Sequence, residues 1–353
     1  ENVRPARRRA RRSPALERIE AFLREIKPEA TEPEAQYVRE MILTALRLID
    51  DGTSLADLKL LNASLRELRY AFRVFARYDG RRKVTTFGSA RTAQNHPEYE
   101  QAKRFSQRIA EEGFMVITGA GGGIMRACQE GAGRERSFGV NIRLPFEQLA
   151  NEFIVDDPKL VNFKYFFTRK LLFVKEADAI AFFPGGFGTH DEAYESLTLV
   201  QTGKTLLVPL VFVDAPGGGF WKDWERSVRR VLLARGLISE EDLSIFRVTD
   251  DAEEAVQEIL GFYRVYNSSR FVGEKLVLRL NRRPEPEVIE RLNEEFADLV
   301  LRGQIILRGA FPEERGDEAI DRLPRLAFHF NRVNYGRLRQ MIDVLNRAGS
   351  GPR

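Results

Sequence analysis

Three glycines and a carboxylate share one short segment, residues 184–192, which reads Pro-Gly-Gly-Phe-Gly-Thr-His-Asp-Glu. Glycine lets the backbone approach a phosphate closely, and a helix that begins in such a segment adds free N–H donors and a favourable dipole. The carboxylate of Glu192 can stabilise an oxocarbenium-like transition state while it orients or deprotonates water. The segment is therefore suited to holding a phosphate beside a carboxylate that can do acid-base or charge-stabilising chemistry.

Glu192 also has a purely structural interpretation, because Thr189-x-x-Glu192 matches a helix-capping box. We favour the chemical interpretation, since the surrounding glycines exceed what a cap needs. Glutamine closes a capping box as well as glutamate does. We therefore expect Glu192→Gln to leave thermal unfolding nearly unchanged while it abolishes any reaction that needs the carboxylate.

A second glycine cluster, Gly119–Gly123, also follows a predicted strand and opens a predicted helix, where an open α/β sheet places its ligand crevice. It reads G-x-G-x-x-I, and the next strand closes at Asn141 rather than at an acidic residue, which disfavours NAD. Residues 203–205, Gly-Lys-Thr, lack the upstream glycine of a P-loop because Thr198 stands there. Gly119–Gly123 could alternatively be only a tight turn between strand and helix. Four glycines in five positions instead favour a loop whose backbone approaches an anion. We expect no cofactor.

A basic pair, Arg169 and Lys170, lies on the predicted helix upstream of segment 184–192. A guanidinium can fix ribose hydroxyls or a phosphate through its planar fork. Successive helix residues point in different directions, so we expect only one of the two to face the ligand. Taken alone, the pair would be interpreted as the solvated face of an amphipathic helix.

Apolar periodicity predicts the elements that position these residues. Three helices come first, and strands then alternate with helices, which indicates a Rossmann-like, doubly wound parallel sheet. The predicted helices cover residues 16–26, 37–49, 55–78, 97–112, 124–131, 163–176, 189–202, 221–234 and 253–263, and the predicted strands cover 83–87, 114–118, 137–142, 179–183 and 205–213.

Beyond Arg270 the pattern changes to strand 275–280, helix 286–301, strands 304–309 and 325–330, and helix 335–346, which predicts a small α+β domain. The predicted organisation is thus a basic disordered arm (1–15), a helical extension (16–80), a Rossmann-like nucleotide-binding catalytic domain (81–265) and the small domain (270–348).

Charge is concentrated at one end of the chain. Residues 1–12 hold six arginines and one glutamate, a net charge of +5, whereas the whole chain carries +4, so the remainder is close to neutral. The neutral remainder disfavours a nucleic-acid-binding protein, although the arm could bind a polyanion weakly. Several features predict a cytoplasmic protein without a metal site or membrane span. The sequence has a single cysteine, Cys128, and three scattered histidines, and it shows neither a signal-peptide pattern nor an apolar run long enough to cross a bilayer.

The P-G-G-x-G-T-x-x-E segment resembles the signature of the Lonely Guy (LOG) family of nucleoside monophosphate phosphoribohydrolases, long mislabelled as lysine decarboxylases. Arg169-Lys170 matches the family's R-K pair and Gly88-Ser89 its first glycine-serine turn, so the resemblance extends over about residues 81–263. Phe167 departs from the histidine usual in the short members. The helical extension and the C-terminal domain are also absent from those members, so a plant-hormone substrate cannot be assumed.

The resemblance implies hydrolysis of a nucleoside 5′-monophosphate of the AMP type to free base and ribose 5-phosphate by a homodimer or larger homo-oligomer. It implies that Glu192 and Arg169 form the catalytic pair. The substrate-binding residues would be Gly88, Ser89, Gly119, Gly121, Gly122, Gly123, Lys170, Gly185, Gly186, Gly188 and Thr189.

Two other functions stay open. One is a non-catalytic nucleotide-binding or molybdenum-cofactor carrier protein on the same fold, against which the presence of both Arg169 and Glu192 counts. The other is decarboxylation of lysine, which would need a cofactor-bearing lysine in a pyridoxal phosphate site. Only Lys170 is placed for that role.

Overall fold

The computed structural model describes residues 14–142, 150–314, 316 and 318–348. The chain divides into two compact units, the first ending at Arg66 and the second beginning at Glu67. Most of the predicted basic arm lies outside the described residues. The finer division predicted at residues 80, 265 and 270 stays a prediction.

The three predicted N-terminal helices are present as α1 (Pro14–Ile26), α2 (Glu32–Asp50) and α3 (Leu55–Phe75), and α3 runs from the first unit into the second. Thr31 and Glu34 form a capping box at the start of α2, which fixes where that helix begins. Within the described part of the chain, no helix combines the length and apolar character needed to cross a membrane.

A seven-stranded parallel sheet with helices on both faces forms the centre of the second unit, as the alternating pattern predicts. Its strands are β1 (Lys83–Phe87), β2 (Met115–Thr118), β3 (Ser137–Ile142), β4 (Leu160–Phe163), β5 (Ala179–Phe182), β6 (Leu210–Val213) and β7 (Phe246–Thr249). Its helices are α4 (Pro97–Glu111), α5 (Ile124–Ala132), α6 (Phe166–Lys175), α7 (Phe187–Gln201), α8 (Phe220–Ser227) and α9 (Ala252–Phe262).

The strand order β4-β3-β2-β1-β5-β6-β7 reverses direction between β1 and β5. All five residues of β1 are buried, because helices cover both faces of the sheet. Val84 packs into the apolar cluster on one face, and Phe87 packs into the cluster on the other. A reversal of this kind opens a crevice outside the carboxyl ends of the two central strands.

Some elements of this sheet and its helices differ from the prediction. The segment 160–163 is strand β4, so the helix that carries Arg169 begins at Phe166 rather than at residue 163. The predicted strand 205–213 is shortened to β6, and the edge strand β7 was not predicted.

The small C-terminal α+β region contains an antiparallel four-stranded sheet in the order β10-β11-β9-β8. The strands are β8 (Tyr266–Val272), β9 (Lys275–Leu280), β10 (Ile306–Arg308) and β11 (Arg325–Phe328), with helices α10 (Pro286–Glu295), α11 (Glu318–Asp321) and α12 (Tyr335–Ala348). Strand β8 was not predicted, because its Asn-Ser-Ser-Arg centre interrupts the apolar pattern. Asn346 on α12 accepts hydrogen bonds from the N–H groups of Val265 and Tyr266 and so anchors the last helix to the start of this sheet.

Candidate functional site

Three loops meet at the carboxyl ends of β2, β1 and β5, where the strand order predicts a crevice. The Ser89 N–H donates to the Pro184 carbonyl (3.0 Å), and the Ile124 N–H donates to the Ser89 carbonyl (2.9 Å). The loop after β1 is therefore bonded on one side to the segment that precedes α7 and on the other side to the start of α5.

Close packing explains two of the glycines in these loops. Gly123 has a φ of +58°, and a Cβ there would lie 2.2 Å from the Ser89 carbonyl oxygen. A Cβ on Gly185 would lie 2.1 Å from Thr189 Oγ1 and 3.0 Å from the Ser89 nitrogen. Any side chain at either position would push the loops apart.

Gly186 and Gly188 have the opposite environment, because a Cβ at either would meet nothing within 4 Å. Both line a cavity of about 900 Å³. Among the described residues, no packing constraint therefore explains the lack of a side chain at Gly186 or Gly188. Open space beside bare backbone at a helix N-terminus is what an anionic ligand requires.

The cavity brings together most of the residues that the sequence singled out. It is lined by Gly88, Ser89, Gly119, Arg169, Gly185, Gly186, Gly188, Thr189 and Glu192. Four others lie outside its lining: Gly121, Gly122, Gly123 and Lys170. Gly123 instead holds two loops together, and Lys170 lines a neighbouring groove.

The structure does not support the structural alternative for Glu192, a capping box with Thr189. Helix α7 begins at Phe187 with Gly186 as its N-cap, so Thr189 already lies inside the first turn. The Thr189 N–H donates to the Gly186 carbonyl, and no side chain caps the helix. Glu192 therefore lies in the second turn, where its side chain lines the cavity.

Glu192 is a buried carboxylate whose oxygens are only lightly engaged. The residue is 5% exposed, and its Oε1 lies 3.6 Å from Lys170 Nζ. Its Oε2 is buried and has no hydrogen-bond partner among the described residues. Burial raises the pKa of Glu192 to about 7, against the lowering effect of the Lys170 ammonium. A carboxylate with a pKa near neutrality can both accept and release a proton at physiological pH.

Arg169, on the first turn of α6, lines the same cavity as Glu192. Its guanidinium carbon lies 5.0 Å from the ring centroid of Phe166 and 5.5 Å from that of Phe173. Stacking on aromatic rings limits the orientations of the guanidinium plane. The cavity therefore contains a cation and a carboxylate supplied by successive helices.

Two aromatic residues that line the cavity, Phe187 and Phe220, were missed as candidate functional residues. Phe187, the variable residue of the P-G-G-x-G segment, is 98% exposed, and Phe166 and Phe220 are 52% and 40% exposed. Exposed aromatic rings beside a polar cavity offer faces on which a planar base can stack. The sequence signal for Phe187 was an apolar residue placed between two glycines at a helix start.

We expect Gly185→Ala and Gly186→Ala to have different effects, although the change is chemically identical. The first places a methyl group against Thr189 and should lower the free energy of unfolding by about 1–3 kcal/mol, the usual effect of overpacking. The second places it in open space and should leave the unfolding free energy within about 0.5 kcal/mol of wild type while weakening the binding of a phosphorylated ligand. Chemical denaturation with a nucleotide-binding titration of each variant measures both effects, and equal destabilisation by the two changes would contradict this assignment of roles.

Comparisons with known proteins agree with the resemblance. Residues 122–259 match the family model described as "Possible lysine decarboxylase", a range that contains both Arg169 and Glu192. No curated protein sequence matches the chain significantly.

Several solved structures share the fold. TM1055, a structural-genomics target, is 22% identical over 51% of this chain and 98% of its own, with a TM-score of 0.38. A molybdenum cofactor carrier protein from Chlamydomonas reinhardtii is 18% identical over 51% of this chain and 96% of its own (TM-score 0.37). A molybdenum cofactor binding protein from Rippkaea orientalis is 17% identical over 52% and 98% (TM-score 0.35). The match to the LOG-like, "Possible lysine decarboxylase" family model thus covers segment 184–192 and five of the seven strands of the parallel sheet.

Proposed function

We propose that this protein hydrolyses the N-glycosidic bond of a nucleoside 5′-monophosphate, giving free base and ribose 5-phosphate. The observation that carries the proposal is the buried, lightly engaged carboxylate of Glu192, which lines the same cavity as bare glycine backbone and the Arg169 guanidinium. A site that only holds a phosphorylated molecule needs the glycines and the cation. It has no need of a buried carboxylate beside them, because that negative charge opposes the binding of an anion.

The proposed chemistry divides the work among these groups. The 5′-phosphate lies against the backbone of Gly186 and Gly188 at the start of α7, and Arg169 holds the phosphate or the ribose hydroxyls. The bond between ribose C1′ and the base nitrogen breaks, its electron pair leaves with the base, and the base nitrogen takes up one proton from solvent, to which Glu192 later returns the proton that it accepts. Glu192 stabilises the positive charge that develops on the sugar, and it accepts a proton from the water whose oxygen bonds to C1′.

Assays with a panel of purine and pyrimidine nucleoside monophosphates test the proposal, with free base measured after incubation with the purified protein. Release of base from at least one nucleotide supports hydrolysis. The alternative function, a carrier of a nucleotide or of the molybdenum cofactor, predicts binding without release of base. Cytoplasmic location and homo-oligomeric assembly stay predictions that rest on the sequence.

We expect strong preference for the phosphorylated substrate. Adenosine lacks the anion that the glycine loops and Arg169 are proposed to hold, and charge-assisted hydrogen bonds contribute roughly 1.5–3 kcal/mol each. Loss of one or two of them should lower kcat/KM for adenosine, relative to AMP or the best nucleotide of the panel, by about 10²-fold or more. Comparable kcat/KM values for the nucleotide and its nucleoside would contradict the proposed phosphate site.

A further inference from the structure

Lys170 stands beside the candidate site rather than in it. It directly follows Arg169 on α6, and residues one apart on a helix point in directions about 100° apart. Arg169 lines the cavity, whereas Lys170 lines the neighbouring groove. The predicted contact of Lys170 with the substrate stays a prediction, and its place outside the cavity lining does not favour it.

The Lys170 ammonium lies among three carboxylates from the start of α7. Its Nζ is 2.5 Å from Glu195 Oε2, 2.9 Å from Asp191 Oδ2 and 3.6 Å from Glu192 Oε1. The first two distances are those of short, charge-assisted hydrogen bonds, and the third is that of a charge contact without one. The Lys170 ammonium therefore directs its N–H groups to Asp191 and Glu195 and acts on Glu192 through its charge.

The three carboxylates differ greatly in exposure. The Asp191 and Glu195 side chains are 63% and 35% exposed, whereas that of Glu192 is 7% exposed. The negative charges of Asp191 and Glu195 disfavour ionisation of Glu192, the carboxyl group that water solvates least. The Lys170 ammonium offsets this repulsion. Because it bonds the other two, it leaves both Glu192 oxygens available to a ligand.

We propose that Lys170 is a positioning residue that keeps the Glu192 carboxylate ionised and unengaged, and that it leaves the substrate phosphate to the glycine loops. This role rests on the proposed function of Glu192. The charged groups that act on Glu192 are Lys170 and Arg169 from α6 and Asp191 and Glu195 from α7. Lys170 and Glu195 act on it with opposite sign, which makes the proposal testable in two directions.

The pH dependence of kcat/KM of Lys170→Met and Glu195→Gln provides the test. Loss of the cation should move the acid limb of the profile to higher pH by about 1 unit or more, since an adjacent opposite charge has an effect of that size. Loss of the neighbouring anion should move the same limb to lower pH. At pH values above the limb, the KM of Lys170→Met should stay within about threefold of wild type, because the phosphate is held elsewhere.

Two further variants serve as controls. Lys170→Arg retains the positive charge and should restore the wild-type acid limb to within about 0.5 unit. Lys175→Met removes a half-exposed lysine from the same helix, one that pairs with Glu176 outside the cavity, and should leave the profile unchanged. A KM at least tenfold higher for Lys170→Met with an unmoved acid limb would show that Lys170 binds substrate and would overturn the proposal. Shifts of equal sign in Lys170→Met and Glu195→Gln, or no shift in either, would also overturn it.

A measurement without turnover separates this inference from the proposed function. The carboxyl band of Glu192 can be followed by infrared difference spectroscopy. Subtracting the spectrum of Glu192→Gln from that of wild type isolates this band with Lys170 present, and subtracting the spectrum of the Lys170→Met, Glu192→Gln double variant from that of Lys170→Met isolates it without Lys170. The Glu192 titration should move to higher pH when Lys170 is absent. If it moves while no nucleotide is hydrolysed, the proposed function fails and the electrostatic role of Lys170 stands. An unmoved titration overturns the role itself.

Discussion

Glu192→Gln is expected to lower the rate of base release by about 10²- to 10⁴-fold, the usual contribution of one acid-base group. The amide is nearly the same size as the carboxylic acid, yet it can neither take a proton from water nor offset positive charge on the sugar. Nucleotide should still bind, because the glycine loops and Arg169 are unchanged. Single-turnover kinetics and equilibrium binding with the best nucleotide of the panel measure the two effects separately.

The same substitution should stabilise the protein, which corrects the expectation of unchanged unfolding. Burial raises the pKa of Glu192 from its ordinary 4.5 to about 7. Between pH 4.5 and pH 7, Glu192 therefore keeps its proton in the native state and loses it in the unfolded state. The free energy of unfolding falls as the pH rises through this range, because ionisation of Glu192 is less favourable in the native state. Glutamine removes that effect. We expect Glu192→Gln to be more stable by about 1–3 kcal/mol at pH 8, with the gain vanishing near pH 4.

Denaturant unfolding at pH 4, 6 and 8 checks this sign. Glu111→Gln is a matched control, because Glu111 lies on the surface of α4, pairs with Arg108 and does not line the cavity. Its stability difference from wild type should not grow between pH 6 and 8. A Glu192→Gln variant that is destabilised at pH 8 and retains near wild-type turnover would mean that Glu192 is a structural residue.

Arg169→Gln is expected to lower kcat/KM by about 10²-fold, mainly through a higher KM, since it removes the guanidinium that is proposed to hold the anionic substrate. Arg169→Lys keeps the charge but loses the planar fork, so its kcat/KM should fall between those of wild type and Arg169→Gln.

Initial-rate kinetics on the best nucleotide of the panel measure these changes. Arg229→Gln is the control, because Arg229 is an exposed arginine paired with Glu225 outside the cavity lining. A kcat/KM of Arg169→Gln within about threefold of wild type would remove Arg169 from the site.

The sequence was sufficient to predict the central sheet, because its strands are apolar runs bounded by glycine. It failed where strands are short or polar. Strand β4 (Leu160–Phe163) runs almost directly into α6, so its apolar residues merge with the helical pattern. Strand β8 carries consecutive polar residues at the edge of its sheet and pairs on one side only, and such strands need no apolar alternation.

Within the candidate site, residue type could be predicted and direction could not. Glycine and glutamate in segment 184–192 indicated a phosphate site beside a carboxylate. Whether Glu192 caps a helix or lies inside one depends on where α7 begins. Gly186 fixes that start, two residues earlier than the predicted helix start at Thr189. Likewise, Arg169 and Lys170 are adjacent basic residues, and the sequence alone does not show which of them lines the cavity. Only the orientation of α6 against α7 separates the residue that lines the cavity from the one among the carboxylates.

The central claim, Glu192-dependent hydrolysis of a nucleoside 5′-monophosphate, is tested most directly by measuring both products in ¹⁸O-labelled water. Wild type should release base and ribose 5-phosphate in equal amounts with one ¹⁸O at ribose C1, and Glu192→Gln should bind the nucleotide and release neither above background. Tight binding of nucleotide by both proteins with no product from wild type would contradict the claim and indicate a carrier. Equal product from both proteins would contradict the role of Glu192.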